Sequence, residues 1–396
     1  MLKEPIYLIK KTLLRDLKNS IKKILIAHSS NDNYGSSKVL ISIVDVLIKN
    51  GFDIYLILPH NGPLDNNEII KKTNLKIVSI GVFRKKYINL FGLINRLYFI
   101  IKSSIYIRKF IIRNQIDLVY VNTSTIISPA IAAKFSGIPS VYHIHEIPNS
   151  SKIYTKFLVN FFKIFSNKVI AVSNSVKNYW LSSGLSKDKI TVIYNGFKFN
   201  FKSRKNLISK KINFINISRI IPYKGHLFLI ELFYMLSKFK KDLRLNIIGD
   251  TLPEYESYYK ILKDKVLEYN LEEEVQFLGY KNDIKKNLSN SDFFIHCPIS
   301  PDPLPTVIFE AIESNLPVIC TNQGGAYEIL DSGNNGLLID SLSTSKSCQL
   351  ILKYIDDKYL QQKNVSDSKN FVKKNFQINS FNNNLKKLIT DLVKKT

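Results

Sequence analysis

The chain is expected to fold as two doubly wound α/β domains, and three features of its 396 residues lead there. Short runs rich in Ile and Val alternate with longer amphipathic stretches, the pattern of parallel strands joined by crossover helices. The rhythm runs through the first half, breaks in a polar, basic stretch from Lys198 to Lys211, and then starts again. The length also exceeds what one hydrophobic core organises and suits two domains of under about 200 residues each.

In the first half, strands are expected at Lys23–Ala27, Asp53–Leu58, Lys76–Ile80, Asp117–Val121, Ser140–Ile144, Val169–Val172 and Thr191–Ile193. The clearest helix between them is Ser36–Lys49, where Val39, Leu40, Ile43, Val46 and Leu47 fall on one side at helical spacing. In the second half, strands are expected at Ile212–Ile217, Leu243–Ile248, Val275–Leu278, Asp292–His296, Pro317–Cys320 and Gly336–Ile339. Helices fit between them at Gly225–Phe239, Glu256–Tyr269, Thr306–Ser314 and Ala326–Leu330, and Phe376–Lys395 reads as a final helix. This gives an N-terminal domain over 1–204, a C-terminal domain over 205–375 and a closing helix over 376–396 whose packing the sequence leaves open. Two such sheets with facing strand ends would form a cleft, where open α/β sheets bind ligands.

Apolar residues make up 45% and charged residues 22%, which excludes a disordered chain, collagen or a coiled coil. Charge is the unusual figure: 57 Lys+Arg against 32 Asp+Glu leave +25. Such an excess attracts something anionic, whether nucleic acid, an acidic membrane surface or a phosphorylated substrate. Part of it is background, because Lys and Asn are abundant throughout, as in Asn382–Asn384. Cys297, Cys320 and Cys348 show no CxxC spacing, so neither a disulfide framework nor a zinc site is expected, and a reducing cytosol fits. Met1 to Ser20 is interrupted by charge and lacks the apolar core of a signal peptide. No apolar run approaches the roughly 20 residues that span a bilayer.

Four segments could carry chemistry. The run from Cys297 to Ile312 follows a buried strand and opens a helix at Thr306, with Asp302 in the loop and Glu310 one turn into the helix. Amides at such a helix start, those of Thr306 and Val307, are a natural seat for phosphate, and a nearby carboxylate can accept from sugar hydroxyls. The bland alternative is a dipole-compensating Asp and a solvated Glu. Strand Ile212–Ile217 ends in a loop that places Arg219 and Lys224 at its carboxyl edge, where two cations can neutralise a departing diphosphate. Gly324 and Gly325 sit between a strand and a helix, where the backbone can approach a ligand closely. Asn31 to Ser37, with Gly35, makes the same junction after the first strand.

In order and spacing these segments resemble the family 4 retaining glycosyltransferases of the GT-B fold, from about Lys22 to about Leu342. The match takes in Val169-Ile170-Ala171-Val172-Ser173, Tyr194-Asn195-Gly196, Ile248-Gly249-Asp250 and Phe277-Leu278-Gly279-Tyr280. The resemblance implies two Rossmann-like domains facing across a cleft, a nucleotide-sugar donor held mainly by the second, and a glycan or lipid-linked acceptor held mainly by the first. Carried over by position, Arg219 and Lys224 would grip the donor diphosphate and Glu310 the ribose. Asp302 would meet hydroxyls of the transferred sugar, Gly279 to Asp283 would lie beside the base, and Gly35 would let its loop approach the diphosphate. In Val141-Tyr142-His143-Ile144-His145-Glu146, His145 matches the family's His-Asp or His-Glu position near the reacting sugar.

Two departures stand out. The family's motif begins with Glu and a Gly-aromatic-Gly turn, whereas Asp302 is followed by Pro303-Leu304-Pro305. The shorter carboxylate draws its oxygens back by roughly 1.5 Å, one carbon–carbon bond, and Pro305 offers no amide. No DxD-like loop is present, so no metal or other cofactor is expected and the nucleotide sugar enters as substrate. The resemblance further implies retention at the anomeric carbon and a place in surface-polysaccharide synthesis.

From Ile77 to Ile116 there is no acidic residue, while Arg84, Lys85, Lys86, Arg96, Lys102, Arg108, Lys109 and Arg113 alternate with apolar side chains. On a helix, Lys102, Lys109 and Arg113 share one face. Such a helix is either a core element with solvated lysines or a surface for an anionic leaflet. The second reading makes the protein peripheral at the inner face of the cytoplasmic membrane. Rival readings are a nucleic-acid-binding protein, although no HTH, RRM, KH or zinc-finger spacing is visible, a GT-B-fold nucleotide-sugar epimerase, and a non-catalytic scaffold.

Overall fold

The computed structural model describes residues 22–32, 35–80, 90–148, 151–201 and 211–394, with the side chains of 90–94 left aside. Its contacts gather into two compact units. One comprises the chain up to Ala171, Trp180–Ile193 and the chain from Asn382, and the other comprises Val172–Tyr179 and Tyr194–Phe381. The 204/205 junction suggested by the sequence lies outside the described residues, as do Met1 to Ser20 and Arg84, Lys85 and Lys86.

The first unit is built on a parallel sheet of β1 (Lys23–Ala27), β2 (Asp53–Leu58), β3 (Asn74–Ile77), β4 (Leu118–Val121), β5 (Ser140–Ile144), β6 (Lys168–Ala171) and β7 (Ile190–Val192). Their order is β3-β2-β1-β4-β5-β6-β7, with Ile24 opposite both Ile54 and Leu118. Ile24, Leu25, Ile26 and Ala27 are fully buried, as unbroken apolar strands covered on both faces must be. Helix α1 (Gly35–Lys49) buries Val39, Leu40, Ile43, Val46 and Leu47, the stripe its periodicity predicts. The strand expected at Lys76–Ile80 starts and ends earlier, because its partner β2 ends at Leu58, opposite Ile77.

The crossovers that follow are α2 (Leu90–Asn114), α3 (Ser128–Phe135), α4 (Lys152–Phe165) and the shorter α5 (Asn174–Ser182). Helix α2 buries Ile100, Ser103, Ser104, Ile107 and Ile111, and packs on α3. Ser104 Oγ donates to the Ser128 carbonyl at 3.4 Å, and Arg108 Nε to the Phe135 carbonyl at 3.1 Å. Right-handed crossovers place α2, α3 and α4 in one layer on one face of the sheet.

The second unit repeats the plan with β8 (Ile212–Ile217), β9 (Leu243–Ile248), β10 (Val275–Phe277), β11 (Phe293–His296), β12 (Val318–Thr321) and β13 (Leu337–Ile339), in the order β10-β9-β8-β11-β12-β13. Helices α6 (His226–Phe239), α7 (Glu256–Glu268), α8 (Lys285–Ser289), α9 (Thr306–Glu313) and α10 (Gly325–Ile329) connect them. Phe214, Phe233, Phe293 and Leu245 anchor the core. Two helices lie beyond those read from the sequence: α11 (Thr344–Asp356), which buries Cys348, Ile351, Tyr354 and Ile355 at helical spacing, and α12 (Lys358–Asn375). On α12 the buried positions are held by Gln361, Asn364, Ser368 and Val372, so no apolar stripe marks it. Gln361 Nε2 donates to the Tyr354 and Ile355 carbonyls at 2.6 and 2.9 Å, which repairs the end of α11. The last helix, α13 (Ile378–Lys394), has its first turn counted with the second unit and the rest with the first.

Gly225 sits between the turn Pro222–Lys224 and α6 with φ near +74°, and a Cβ there would lie 1.8 Å from the Cys297 carbonyl oxygen. Only glycine permits this approach, which brings Lys224 beside the end of β11. Gly225→Ala is expected to lower the unfolding free energy by at least about 1–2 kcal/mol from the left-handed backbone alone. Urea unfolding followed by circular dichroism measures this, and an unchanged midpoint would show the turn to be dispensable.

Candidate active site

Both sheets reverse their strand order once, between β1 and β4 and between β8 and β11. The carboxyl ends beside such a switch point are where open α/β sheets gather functional groups, because side chains leaving the buried strands emerge there. In the first unit, β1, β4 and β5 deliver His28, Asn122 and His145 to this edge. In the second, β8 and β11 deliver Ser218, Arg219 and His296.

The first cluster is a chain of hydrogen bonds. His145 Nε2 lies 2.8 Å from Asn122 Oδ1, and Asn122 Nδ2 lies 3.2 Å from His28 Nδ1 and 3.3 Å from the Ser36 carbonyl. His28 Nε2 lies 3.2 Å from Ser37 Oγ, which donates to Asp32 Oδ1 at 2.7 Å. Burial keeps these rings neutral: the pKa of His28 falls to about 4, and that of His145 falls well below its ordinary value, helped by His143 and His28. His143 is fully buried beneath His145 with ring centroids 4.3 Å apart, and Tyr120 Oη lies 2.7 Å from its Nδ1. Glu146 accepts from Thr123 Oγ1 at 2.6 Å, from Ser124 N and Oγ at 3.2 and 3.1 Å, and from the His145 amide at 3.2 Å. That carboxylate ties the loop after β4 to the loop after β5 and thereby holds the backbone of His145.

The second cluster is ionic. Lys224 Nζ pairs with Asp302 Oδ2, and His296 Nε2 lies 3.1 Å from the same oxygen. The side chains of Lys224 and Asp302 are 20% and 11% exposed, and that of His296 only 1%. Burial alone would raise the Asp302 pKa, but the Lys224 ammonium and the His296 ring together hold it well below the usual carboxylate range. The loop is braced from behind, since Gly325 N donates to the Asp302 carbonyl at 2.7 Å and a Cβ on Gly324 would lie 2.3 Å from that oxygen. The close approach that Gly324 and Gly325 permit is therefore to the backbone of Asp302 and Pro303.

The sequence-derived residues thus fall at strand carboxyl ends or helix starts. Thr306 and Val307 open α9 behind Pro305, and Glu310 sits partly buried on the same helix. Arg219 follows β8, partly buried near Tyr223. Gly35 opens α1 with open space where a Cβ would stand, and so does Gly279, in the left-handed region at φ +66°. Lys224 and Asp302 are brought into direct contact, which their separation in sequence does not reveal. Sequence reasoning passed over Asn122, His28, His296 and Glu328. Glu328 accepts from the amides of Asn174 and Ser175 at 2.8 and 2.6 Å and from Tyr194 Oη at 2.7 Å, closing the start of α5. The available signal for the others was a polar residue at the end of an otherwise apolar strand.

Two doubly wound parallel sheets in one chain, each with a polar cluster at its switch point, define the GT-B class of fold. The chain belongs to the family 4 glycosyltransferases: the model described as Glycosyltransferase Family 4 matches residues 34–200, and that described as Glycosyl transferases group 1 matches residues 198–391. It is accordingly a glycosyltransferase, as the motif order implied. Among curated relatives, a UDP-Gal:alpha-D-GlcNAc-diphosphoundecaprenol alpha-1,3-galactosyltransferase of Escherichia coli is 26% identical over 376 residues, 87% of this chain and 91% of that one. An N-acetylgalactosamine-N,N'-diacetylbacillosaminyl-diphospho-undecaprenol 4-alpha-N-acetylgalactosaminyltransferase of Campylobacter jejuni is 26% identical over 237 residues, 57% of this chain and 60% of that one. Among solved structures, Anabaena Alr3699/HepE in complex with UDP and glucose has a TM-score of 0.77 at 24% identity, covering 93% of this chain and 99% of that one. A glycosyltransferase from Rickettsia africae has a TM-score of 0.78 at 22% identity, covering 95% and 100%.

Five of the six histidines, His28, His143, His145, His226 and His296, have pKa values lowered first of all by burial, to about 3 for His143 and His226. Below pH 6.5 the unfolded chain therefore binds more protons than the folded one, and stability falls as the pH falls from about 6.5 towards 4. Each histidine contributes up to about 1.4 kcal/mol per pH unit in that window. Urea midpoints measured at several pH values should show the decline, with a shallower slope for His143→Gln. A flat profile would show that the rings titrate normally.

Proposed function

We propose that this chain is a retaining glycosyltransferase that moves a sugar from a nucleotide-sugar donor to a glycan or lipid-linked acceptor in surface-polysaccharide synthesis. The observation that carries the reading is the contact of Lys224 with Asp302 at the switch point of the second sheet, beside the start of α9. Family membership, the UDP and glucose named for the Anabaena protein and the UDP-Gal named for the Escherichia coli relative support a uridine diphosphate donor. The diphosphoundecaprenol-linked acceptors named for two relatives support a lipid-linked acceptor.

In this reading Arg219 and Lys224 take the donor diphosphate, helped by the amides of Thr306 and Val307, and Glu310 takes the ribose hydroxyls. The segment Gly279 to Asp283 lies beside the base. Lys224, with three N–H groups, bonds a phosphate oxygen while it keeps Asp302. Among the described residues both bonds to the Asp302 carboxylate fall on Oδ2, and in this reading Oδ1 takes a sugar hydroxyl. The bond from the anomeric carbon to the phosphate oxygen breaks while the acceptor oxygen bonds to that carbon on the same face. The departing phosphate takes the acceptor proton, and the two cations stabilise the charge that develops.

Thermal unfolding against UDP-, GDP- and dTDP-sugars tests this. A matching donor at one hundred times its Kd should add about 2.7 kcal/mol of stability. Lys224→Ala should lose most of that gain and lower turnover at least tenfold at saturating donor. A flat response across the panel with the unmodified chain overturns the reading.

We also propose that the α2–α4 layer rests on an anionic leaflet at the cytoplasmic face of the membrane. Leu97, Tyr98, Ile101, Ile105 and Ile112 form an exposed apolar stripe along α2, each more than half exposed. Lys102, Lys109 and Arg113, also exposed, line one side of that stripe at helical spacing. On α4, Ile153, Phe157 and Ile164 are exposed beside Lys152, Lys156 and Lys163. An apolar stripe bordered by cations is the form of a helix lying in a membrane interface, and among the described residues no helix is long and apolar enough to cross one. With about 1 kcal/mol from each of the three α2 cations, binding to vesicles should rise on the order of a hundredfold from neutral to anionic lipid. Ile101→Asp combined with Ile105→Asp should abolish the gain, and vesicle binding that ignores lipid charge refutes the proposal.

A further inference from the structure

The hydrogen-bond chain of the first unit has a direction, and that direction decides what His145 can offer a substrate. It is bounded by two groups that only accept. At one end the Asp32 carboxylate receives the Ser37 hydroxyl proton at 2.7 Å, so Ser37 Oγ turns its lone pairs towards His28 Nε2, 3.2 Å away. His28 Nδ1 lies 3.2 Å from Asn122 Nδ2 and 3.3 Å from the Asn122 carbonyl, and Ser30 Oγ lies 3.3 Å from His28 Nε2, so the surroundings of His28 satisfy either of its tautomers. At the other boundary the Ser36 carbonyl, 3.3 Å from the same amide nitrogen, requires that the Asn122 NH₂ and not its oxygen lie on that side. Asn122 Oδ1 must therefore face His145 Nε2 at 2.8 Å, and an amide oxygen there requires a proton on that nitrogen. The Ser36 carbonyl thus settles the orientation of Asn122, and Asn122 settles the tautomer of His145.

We propose that Asn122 is a positioning residue that holds His145 as its Nε2–H tautomer, leaving Nδ1 as the ring nitrogen that can only accept a hydrogen bond from a substrate hydroxyl. The functional half of this statement rests on the reading of His145 as an active-site residue given above, whereas the tautomer itself does not. The groups facing the ring agree with a neutral state. His143 lies beneath it and is itself neutral, His28 stands one residue further along the chain, and the Glu146 carboxylate is occupied by Thr123, Ser124 and the His145 backbone amide. The chain begins in the loop after β1, which carries Asp32 and runs into α1 at Gly35, so this loop and His145 share one hydrogen-bonded frame.

Long-range proton–nitrogen correlation spectra of the full chain, labelled with ¹⁵N-histidine and assigned by the signal lost in His145→Gln, test the tautomer without any substrate. From pH 6 to pH 8, His145 should show a protonated Nε2 and an unprotonated Nδ1. Asn122→Leu should convert this signal to a mixture of tautomers. Asn122→Asp, nearly identical in shape, sets a carboxylate against Nε2 and should raise the His145 pKa by at least one unit. Kinetically, Asn122→Leu should lower kcat at least tenfold with donor KM changed less than threefold, and Asn122→Gln should restore part of kcat. A wild-type His145 protonated on Nδ1, or a tautomer unmoved in Asn122→Leu, overturns the proposal whatever the activity. The expected spectra together with unchanged kcat would retain the tautomer but remove its role in catalysis, which overturns the positioning assignment. Should Asn122→Leu not fold, the wild-type and Asn122→Asp spectra decide.

Discussion

Everything distinctive about this molecule depends on burying two parallel sheets on both faces. A strand covered by helices above and below has no solvated surface for a polar side chain, and its backbone groups are consumed by the ladders on either side. The residues of β1 from Ile24 to Ala27 are accordingly apolar and wholly inaccessible. Polar groups within the strands are bonded internally, as His143 is to Tyr120 and Asn216 to the Ile295 carbonyl, and others gather where strands stop: the first residue beyond β1 is His28, beyond β4 Asn122, beyond β5 His145. The switch points then bring ends that are far apart in the chain into contact. The site is in this sense a consequence of the core.

The two units handle the cost of burying polar groups differently. In the first, neutral imidazoles, an amide and hydroxyls satisfy one another in a directed chain, which avoids the desolvation of charge. In the second, a carboxylate is kept ionised by an ammonium and an imidazole at nearly complete burial. Such a pair is strongly coupled, because removing one member leaves the other charged and dry. The Lys224 ammonium has three N–H groups, so it can bond a further acceptor while it keeps Asp302 as its partner.

Much of the fold was legible because its signals are local. Ile212–Ile217 and Leu243–Ile248 stand where their apolar runs place them, and α1 buries the stripe its spacing predicts. Helix α12 was not legible, because Gln361 and Asn364 occupy positions that apolar residues would normally mark and are satisfied by carbonyl and hydroxyl groups from α11. Of the candidate site, Lys224, Asp302 and His145 could be found from motif order. His296 could not, since a histidine at the end of an apolar strand looks the same whether it supports a carboxylate or only fills the core.

The sequence by itself determined the repeated strand–helix rhythm, the family, the excess of positive charge and its concentration along α2, since each is a property of neighbouring residues or of order along the chain. The tertiary structure decided which polar residues meet: that Lys224 is neutralised by Asp302, that Asn122 stands between His28 and His145, and that the α2 cations border an exposed apolar stripe. Those facts depend on which strand ends are adjacent and which helix face is covered. Both are set by sheet order and packing, and neither is written in the spacing of any one segment.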